Sequence, residues 1–170
     1  MELAQKEQQA AMLQDSINHL PDSVRMKNMR QRFDDFAQVM TGEERQTTIE
    51  NELLELRVSN KGGRIVYARL KEYDDYQGQP LVLFDEQDSE LNFSLVTADN
   101  RVVNTSELYF TPVQQGKEGL TMRLAVGEAG YLDFVYTLAP NDYRVGFSIK
   151  GTGLNGLLSP NTRALDMVWT

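Results

Sequence analysis

The chain has 170 residues with no cysteine and one histidine, and its 25 acidic residues outnumber its 17 basic residues to give a net charge of −8. The lack of cysteine excludes disulfides, thiolate metal sites and cysteine nucleophiles, and the acidic balance argues against binding to nucleic acid or to anionic lipid headgroups. No stretch approaches the roughly 20 apolar residues that span a bilayer and no signal peptide opens the sequence, so we expect any membrane-spanning or export segment of a parent protein to lie outside it.

Residues 1–45 are predicted to form a helical arm. Their apolar residues recur mainly at steps of three and four, the spacing that places them on one face of a helix. Pro21 interrupts this period and Gly42 is a typical helix end, so we predict two helices; the alternative is a flexible leader. The residues predicted to dock on the strand domain or on a second copy of the chain are Met29, Phe33, Phe36 and Met40.

From about Gln46 the period of the sequence changes to two, which is typical of strands. Apolar and polar residues alternate over 54–58, and a second strand is predicted from Ile65 to Tyr73. The intervening Asn60-Lys61-Gly62-Gly63 favours a turn because glycine tolerates a positive φ. Residues 46–84 are therefore predicted to begin with a β-hairpin and to continue, after a polar connection, into a short apolar strand at 81–84.

The strand pattern continues through the rest of the chain. Strands with one apolar face must bury that face against another sheet, so we predict that residues 46–170 form an antiparallel β-sandwich. The sequence ends at Trp169-Thr170 within a predicted strand, which predicts partner strands further along a longer protein. The predicted strands after residue 84 cover residues 91–95, 108–110, 120–126, 132–138, 145–149 and 165–169.

No set of residues in the sequence suggests catalysis or a resident cofactor. The one histidine, His19, lies on the predicted arm without a second histidine or a cysteine to join it in an acid–base or zinc site. There is no nucleophile elbow, glycine-rich phosphate loop or zinc-protease motif. We therefore predict no enzymatic activity, no cofactor and no metal site.

Two further groups of residues are open to a binding interpretation. The carboxylates of Asp74-Asp75 and of 85–90 supply oxygen atoms that calcium prefers, but their spacing differs from that of an EF-hand loop, and solvated loop charge is the favoured interpretation. Exposed tyrosines on a sandwich can stack on sugars, although tyrosine also fills sandwich cores. The tyrosines concerned are Tyr67, Tyr73, Tyr76, Tyr109, Tyr131 and Tyr143.

The segment from Glu50 to Phe84 resembles the opening of the large extracytoplasmic domain of the YidC family of membrane protein insertases (the Oxa/Alb/YidC group). The features shared are a strand, a glycine-pair hairpin at Gly62-Gly63, the sequence Leu-Lys-Glu-Tyr at 70–73 and the Pro-Leu-Val-Leu strand that begins at Pro80. The sequence Thr-Ser-Glu-Leu-Tyr-Phe at 105–110 is similar to the version found in Bacteroidetes. The resemblance covers about residues 46–170, the N-terminal portion of that domain.

The resemblance implies a β-super-sandwich similar to galactose mutarotase, located on the periplasmic face of the bacterial inner membrane. It implies that the parent, a multi-pass membrane protein, helps to insert and fold other membrane proteins beside the Sec translocon. The working groove of that family lies in membrane helices that this sequence does not contain. The insertase function therefore cannot be assigned to particular residues, and the partners implied are Sec subunits and nascent membrane proteins.

Three functions are compatible with these observations. The first is an accessory, protein-binding and chaperone-like domain of an insertase, which the hairpin signature and the missing catalytic residues favour. The second is a carbohydrate-binding sandwich of the cell envelope, which the tyrosines suggest. The third is a mutarotase-like enzyme, which is disfavoured because residues 46–170 contain no histidine. A shared fold does not by itself identify a function.

Overall fold

The computed structural model describes residues 21, 23–24, 34–160 and 165–170. Residues Met1–Ala37 and Gln38–Thr170 cluster as two compact units, and the strands that the structure describes lie in the second. The predicted division into an arm at 1–45 and a strand domain at 46–170 stays a prediction. The described part of the chain contains eleven strands: β1 (Gln46–Glu50), β2 (Leu54–Ser59), β3 (Ile65–Asp74), β4 (Pro80–Phe84), β5 (Leu91–Val96), β6 (Val102–Asn104), β7 (Thr111–Gly116), β8 (Gly119–Val126), β9 (Gly130–Leu138), β10 (Val145–Thr152) and β11 (Asp166–Trp169).

The predicted arm is described only in part. A 3₁₀ helix covers Asp34–Val39, and residues 42–45 are not helical. Phe36 is buried and Met40 is half-buried, whereas Met29 and Phe33 lie outside the described residues, so docking of the arm stays a prediction.

Segment 42–45 is instead held along the hairpin turn between β2 and β3. The Asn60 side chain accepts a hydrogen bond from the Arg45 amide at 2.7 Å and donates one to the Glu43 carbonyl at 2.9 Å. A Cβ on Gly42 would lie 2.8 Å from ring atoms of Tyr109, so glycine permits this close approach. The Glu43 carbonyl and the Arg45 amide, bonded to Asn60, are thus not available to a helix, and the 3₁₀ helix ends before them, at Val39.

The first sheet has the order β1-β2-β3-β4 and is antiparallel throughout. The predicted hairpin of β2 and β3 is confirmed, with Leu54 opposite Leu70 and Leu56 opposite Ala68. Its turn contains Gly62 and Gly63 with φ of 79° and 61°, a conformation that disfavours any residue with a Cβ. This turn carries the chain into β3 with the apolar faces of both strands on one side.

The second sheet has the order β10-β9-β8-β7, and the third, smaller sheet has the order β11-β5-β6. In β5 every second residue is buried, which confirms the predicted alternation. Strands β8 and β9 pair without interruption from Gly119–Thr137 to Val126–Gly130, and among the described residues they contribute eight buried hydrophobic side chains to the core. The antiparallel β-sandwich predicted from the period of two is confirmed.

The sheets meet through aromatic side chains. Phe134 of β9 packs on Phe93 of β5 with ring centroids 5.3 Å apart, and on Phe110 at 4.7 Å. The Tyr136 hydroxyl donates a hydrogen bond to the carbonyl of Gly63 at 2.5 Å, which ties the second sheet to the hairpin of the first. Such rings dominate the core because each buries a large apolar area.

The prediction of a strand at 108–110 is wrong. Leu108 and Phe110 are buried, but Tyr109 forms only an isolated bridge with Lys61. The backbone here bonds to the hairpin turn, with the Gly62 amide donating to Leu108 at 2.8 Å. A short 3₁₀ turn at Thr105–Glu107 leads the chain into this position, and the ladder resumes only at β7.

Candidate functional site

The three sheets enclose an open apolar cleft of about 420 Å³. Its lining comes from β2, β3, β4, β5, β9, β10 and β11 and includes one charged side chain, that of Asp88. A concave surface that is mostly apolar and has few polar groups is the usual form of a binding site in proteins. The cleft is therefore the candidate functional site.

The floor of the cleft is built by strand alternation. Leu54 and Leu56 face it from β2, and Val145 and Phe147 face it from β10, each two residues apart and hence on one face of its strand. The β2 leucines are buried, whereas the β10 residues are half-buried because the cleft leaves them open to solvent.

Large apolar side chains at the rim are more exposed still. Leu83 of β4 is 54% exposed and Trp169 of β11 is 59% exposed, and both line the cleft. Clustered exposure of this kind on a folded domain marks a surface that contacts another molecule or segment.

Phe147 is the centre of an aromatic cluster in the cleft. Its ring centroid lies 5.0 Å from that of Tyr136, 5.5 Å from Phe134 and 6.3 Å from Trp169. Edge-on and tilted contacts of this kind hold each ring in one orientation. The floor is therefore held in shape by packing.

The titration of the cleft tyrosines reflects their loss of hydration. Burial raises the pKa of Tyr136 far above its ordinary value of 10.0. The pKa of Tyr143 is raised too, first by desolvation and then by the neighbouring Tyr73. Both phenols are neutral at physiological pH, so they present donors and acceptors and no charge.

The edge of the cleft near β4 is acidic. Asp85, Glu86, Asp88 and Glu90 have exposed side chains on the loop after β4. Among the described residues none of these four carboxylates forms an ion pair; Arg64 donates instead to the backbone carbonyl of Ser89. We define these four residues as the acidic lip.

Within the described ranges, no three histidine, cysteine or acidic side chains come together in a way that could hold a metal ion. One carboxylate of each acidic stretch supports its own loop: Asp75 accepts from the Gln77 and Gln79 amides, and Asp85 accepts from the Gln87 amide. His19 lies outside the described residues.

Of the tyrosines considered for sugar binding, Tyr143 lines the cleft beside Tyr73, whereas others lie elsewhere. The guanidinium of Arg57 lies 4.2 Å from the ring centroid of Tyr67, and that of Arg123 lies 3.6 Å from the ring of Tyr131, so each ring has one face covered. Tyr76 is 94% exposed in the turn between β3 and β4, away from the cleft lining. Tyr67, Tyr131 and Tyr76 are therefore not part of the cleft.

The cleft is not predicted by the sequence pattern. Its lining residues come from positions as distant as Leu83, Phe147 and Trp169, and the sequence predicts for each only that it lies in a strand. The one sequence signal is the continuous apolar run at 81–84, which exceeds what a strand with one buried face requires.

No helix in the portion of the chain that the structure describes is both long and apolar enough to cross a membrane.

Comparison with known proteins identifies the family. Residues 46–157 match the family model described as the YidC periplasmic domain. The chain is 56% identical over 170 residues to the membrane protein insertase YidC of Parabacteroides distasonis, covering 99% of this chain and 27% of that protein. It is 38% identical over 150 residues to the insertase YidC of Porphyromonas gingivalis, covering 88% of this chain and 24% of that protein.

The chain thus spans about a quarter of the length of these curated relatives. No solved structure matches it, and the predicted likeness to galactose mutarotase stays a prediction. These matches confirm the resemblance to the YidC family that the hairpin and segment 105–110 indicated. They favour the insertase interpretation over the carbohydrate-binding interpretation. The family model describes a domain on the periplasmic side of the inner membrane, and the matched segment coincides with the strand region that forms the cleft. The family model matches 112 residues, from 46 to 157, and the relative from Parabacteroides distasonis is 56% identical. The chain therefore belongs to the YidC periplasmic domain family.

Proposed function

We propose that this domain is an accessory, protein-binding part of a membrane protein insertase and performs no reaction itself. Its proposed partners are subunits of the Sec translocon and membrane proteins during insertion. The observation that supports this proposal most is the apolar cleft, whose rim exposes Leu83 and Trp169 in a family whose members are named insertases.

The chemistry of the cleft fits binding better than catalysis. Its lining has one charged residue, Asp88, and its buried phenol, Tyr136, is occupied with the Gly63 carbonyl. General acid–base catalysis requires a titratable group held against a reacting atom, and the carboxylate of Asp88 is exposed on a loop. The residues of the cleft supply apolar area and backbone groups, which are the means by which proteins bind polypeptide.

Photo-crosslinking in the longer insertase tests the proposal. A photoreactive amino acid at Leu83 should form adducts with Sec subunits or with a pulse-labelled inner-membrane protein during its synthesis. The matched control is Val113, which is 46% exposed on β7 and outside the cleft lining, and there we expect none of these adducts. Absence of both classes of adduct at Leu83 and at Trp169 would contradict the proposal.

A further inference from the structure

We propose that the cleft binds an extended, apolar polypeptide segment that carries Lys or Arg beside its apolar residues, and that this segment pairs with the free edge of β10. The inference rests on the proposed function, and it specifies the chemistry of the client segment and how that segment is held. Three independent features of the described residues support it: the apolar floor, the unpaired strand edge and the acidic lip.

The floor selects an apolar side chain. Phe147, Val145 and Leu56 line the cleft, and the exposed Leu83 and Trp169 extend the same surface at its rim. Covering such side chains removes apolar surface from water, and this favours binding in proportion to the area covered. A polar or strongly charged segment would leave this surface wet or bury its own charges there at a cost.

The edge of β10 selects an extended backbone. Among the described strands β10 pairs with β9 alone, so its other edge has no strand partner. Along such an edge every second residue directs its N–H and C=O outward, ready to pair with an added strand. Because Val145 and Phe147 face the cleft from β10, alternate side chains of an added strand would also face the cleft.

The acidic lip selects a basic flank. It has four carboxylates without an ion pair in the described part of the chain, and Asp88 reaches the cleft lining itself. A Lys or Arg next to the apolar residues would neutralise part of this charge. A second copy of the chain fits less well, since each copy carries a net charge of −8 and like-charged molecules repel.

The sole tryptophan, Trp169, is a convenient reporter of occupancy. The probe is a synthetic eight-residue peptide with two lysines followed by alternating valine and threonine, titrated into the 170-residue chain at low salt. We expect a saturable shift of Trp169 emission to shorter wavelength as water is excluded from the indole. The same peptide methylated at alternate backbone amides should bind at least about tenfold more weakly, because it cannot pair with a strand edge.

Charge is tested with a matched peptide in which the two lysines are replaced by glutamates. It should bind about two- to fivefold more weakly than the lysine peptide, as expected for exposed ion pairs, and the difference should shrink in high salt. In the Asp88→Asn variant the affinities of the two peptides should differ less than they do in the unmodified chain. Equal binding of both peptides to the unmodified chain would overturn the charge part of the inference.

The site is tested with a pair of exposed-residue variants that do not disturb the core. Leu83→Ser should weaken the lysine peptide about threefold to tenfold, because it removes apolar area at the rim. Val113→Ser, at an exposed position of β7, should leave binding unchanged. Equal effects of the two variants, or no emission shift with any peptide, would overturn the inference.

Two other occupants have distinct signatures. A doubling of molecular mass with a concentration-dependent emission shift in the absence of peptide would show that a second copy covers the cleft. In the longer insertase, protection of Leu83→Cys but not Val113→Cys from maleimide without added peptide would show that the longer protein fills the cleft itself. Either result overturns the inference, yet the crosslinking of Leu83 to Sec subunits tests the proposed function separately.

Discussion

Tyr136 shows how a single polar atom is accommodated in the core. Its side chain is 1% exposed, and its hydroxyl finds one partner, the Gly63 carbonyl 2.5 Å away. Because burial raises the pKa of the phenol above its ordinary value of 10.0, the folded state holds the proton at pH values where the unfolded chain loses it. The stability associated with this residue is therefore fully present below about pH 10 and is lost as the pH rises above it.

Replacing Tyr136 by phenylalanine is expected to lower the free energy of unfolding by about 1–3 kcal/mol at pH 7, because the buried Gly63 carbonyl loses its partner. The variant should also lose less stability than the unmodified chain between pH 9 and 11. Urea unfolding at both pH values measures the two effects. Tyr76→Phe, in an exposed turn, is the control that should change neither; equal pH dependence of Tyr136→Phe and the parent chain would contradict the assignment.

At the scale of elements, the hairpin turn between β2 and β3 joins several parts of the domain. Gly63 has a φ of 61°, and a Cβ there would lie 3.0 Å from the ring of Phe134 and 3.1 Å from that of Phe110. The neighbouring Asn60 holds the Arg45 backbone, and Gly62 bonds to Leu108. One turn therefore organises segments from three regions of the sequence.

Gly63→Ala is expected to lower the free energy of unfolding by about 2–5 kcal/mol, since it adds crowding in the core to the cost of a left-handed backbone. The matched control is Gly78→Ala in the turn between β3 and β4, where φ is 74° and no atom lies within 4 Å of the added Cβ. This control substitution should lower the free energy of unfolding by only about 1–2 kcal/mol. Chemical denaturation measures the free energy of unfolding of both variants. Equal decreases in the two variants would show that crowding of the added methyl group against Phe134 and Phe110 does not affect stability.

At the scale of the whole molecule, polar contacts of two turns join the first and second sheets. The Asn51 side chain donates to the carbonyls of Ala139 and Asp142, both at 2.7 Å, and the Glu52 carboxylate accepts from the Asn141 amide at 3.0 Å. That bond lowers the pKa of Glu52 below its ordinary value of 4.5. Lys71 lowers the pKa of Glu50 in the same way, through a 2.6 Å ion pair.

Groups with a lowered folded-state pKa stabilise the fold above their ordinary pKa, and this stabilisation is lost as the pH falls through the lowered value. We therefore expect the melting temperature to fall as the pH is lowered from 5 to 3. Glu52→Gln should make this fall smaller, whereas Glu86→Gln, in the exposed loop after β4, should leave it unchanged. Melting curves at a series of pH values provide the measurement, and an unaltered acid response in Glu52→Gln would contradict the role given to this contact.

The class of fold could be predicted from local sequence alone. Successive side chains of a strand point to opposite faces, so alternating apolar and polar residues indicate strands with one buried face. Strands β5, β8, β9 and β10 and the β2–β3 hairpin were predicted from that period and from the glycine pair. Strand β7 carries no such signal: all six of its residues are exposed, and its position follows from pairing with β8.

The position of the candidate site, in contrast, depends on how the three sheets pack together. The cleft requires Leu83, Phe147 and Trp169 to meet from three different sheets, and a local pattern contains no information about which sheet faces which. The local pattern also does not show which segment Leu108 and Phe110 contact. Their burial was predicted, but their backbone bonds to the distant turn between β2 and β3 and not to a strand. Periodicity reports how a side chain is directed relative to its own backbone, whereas a binding surface depends on distances between segments that only the packed fold brings together.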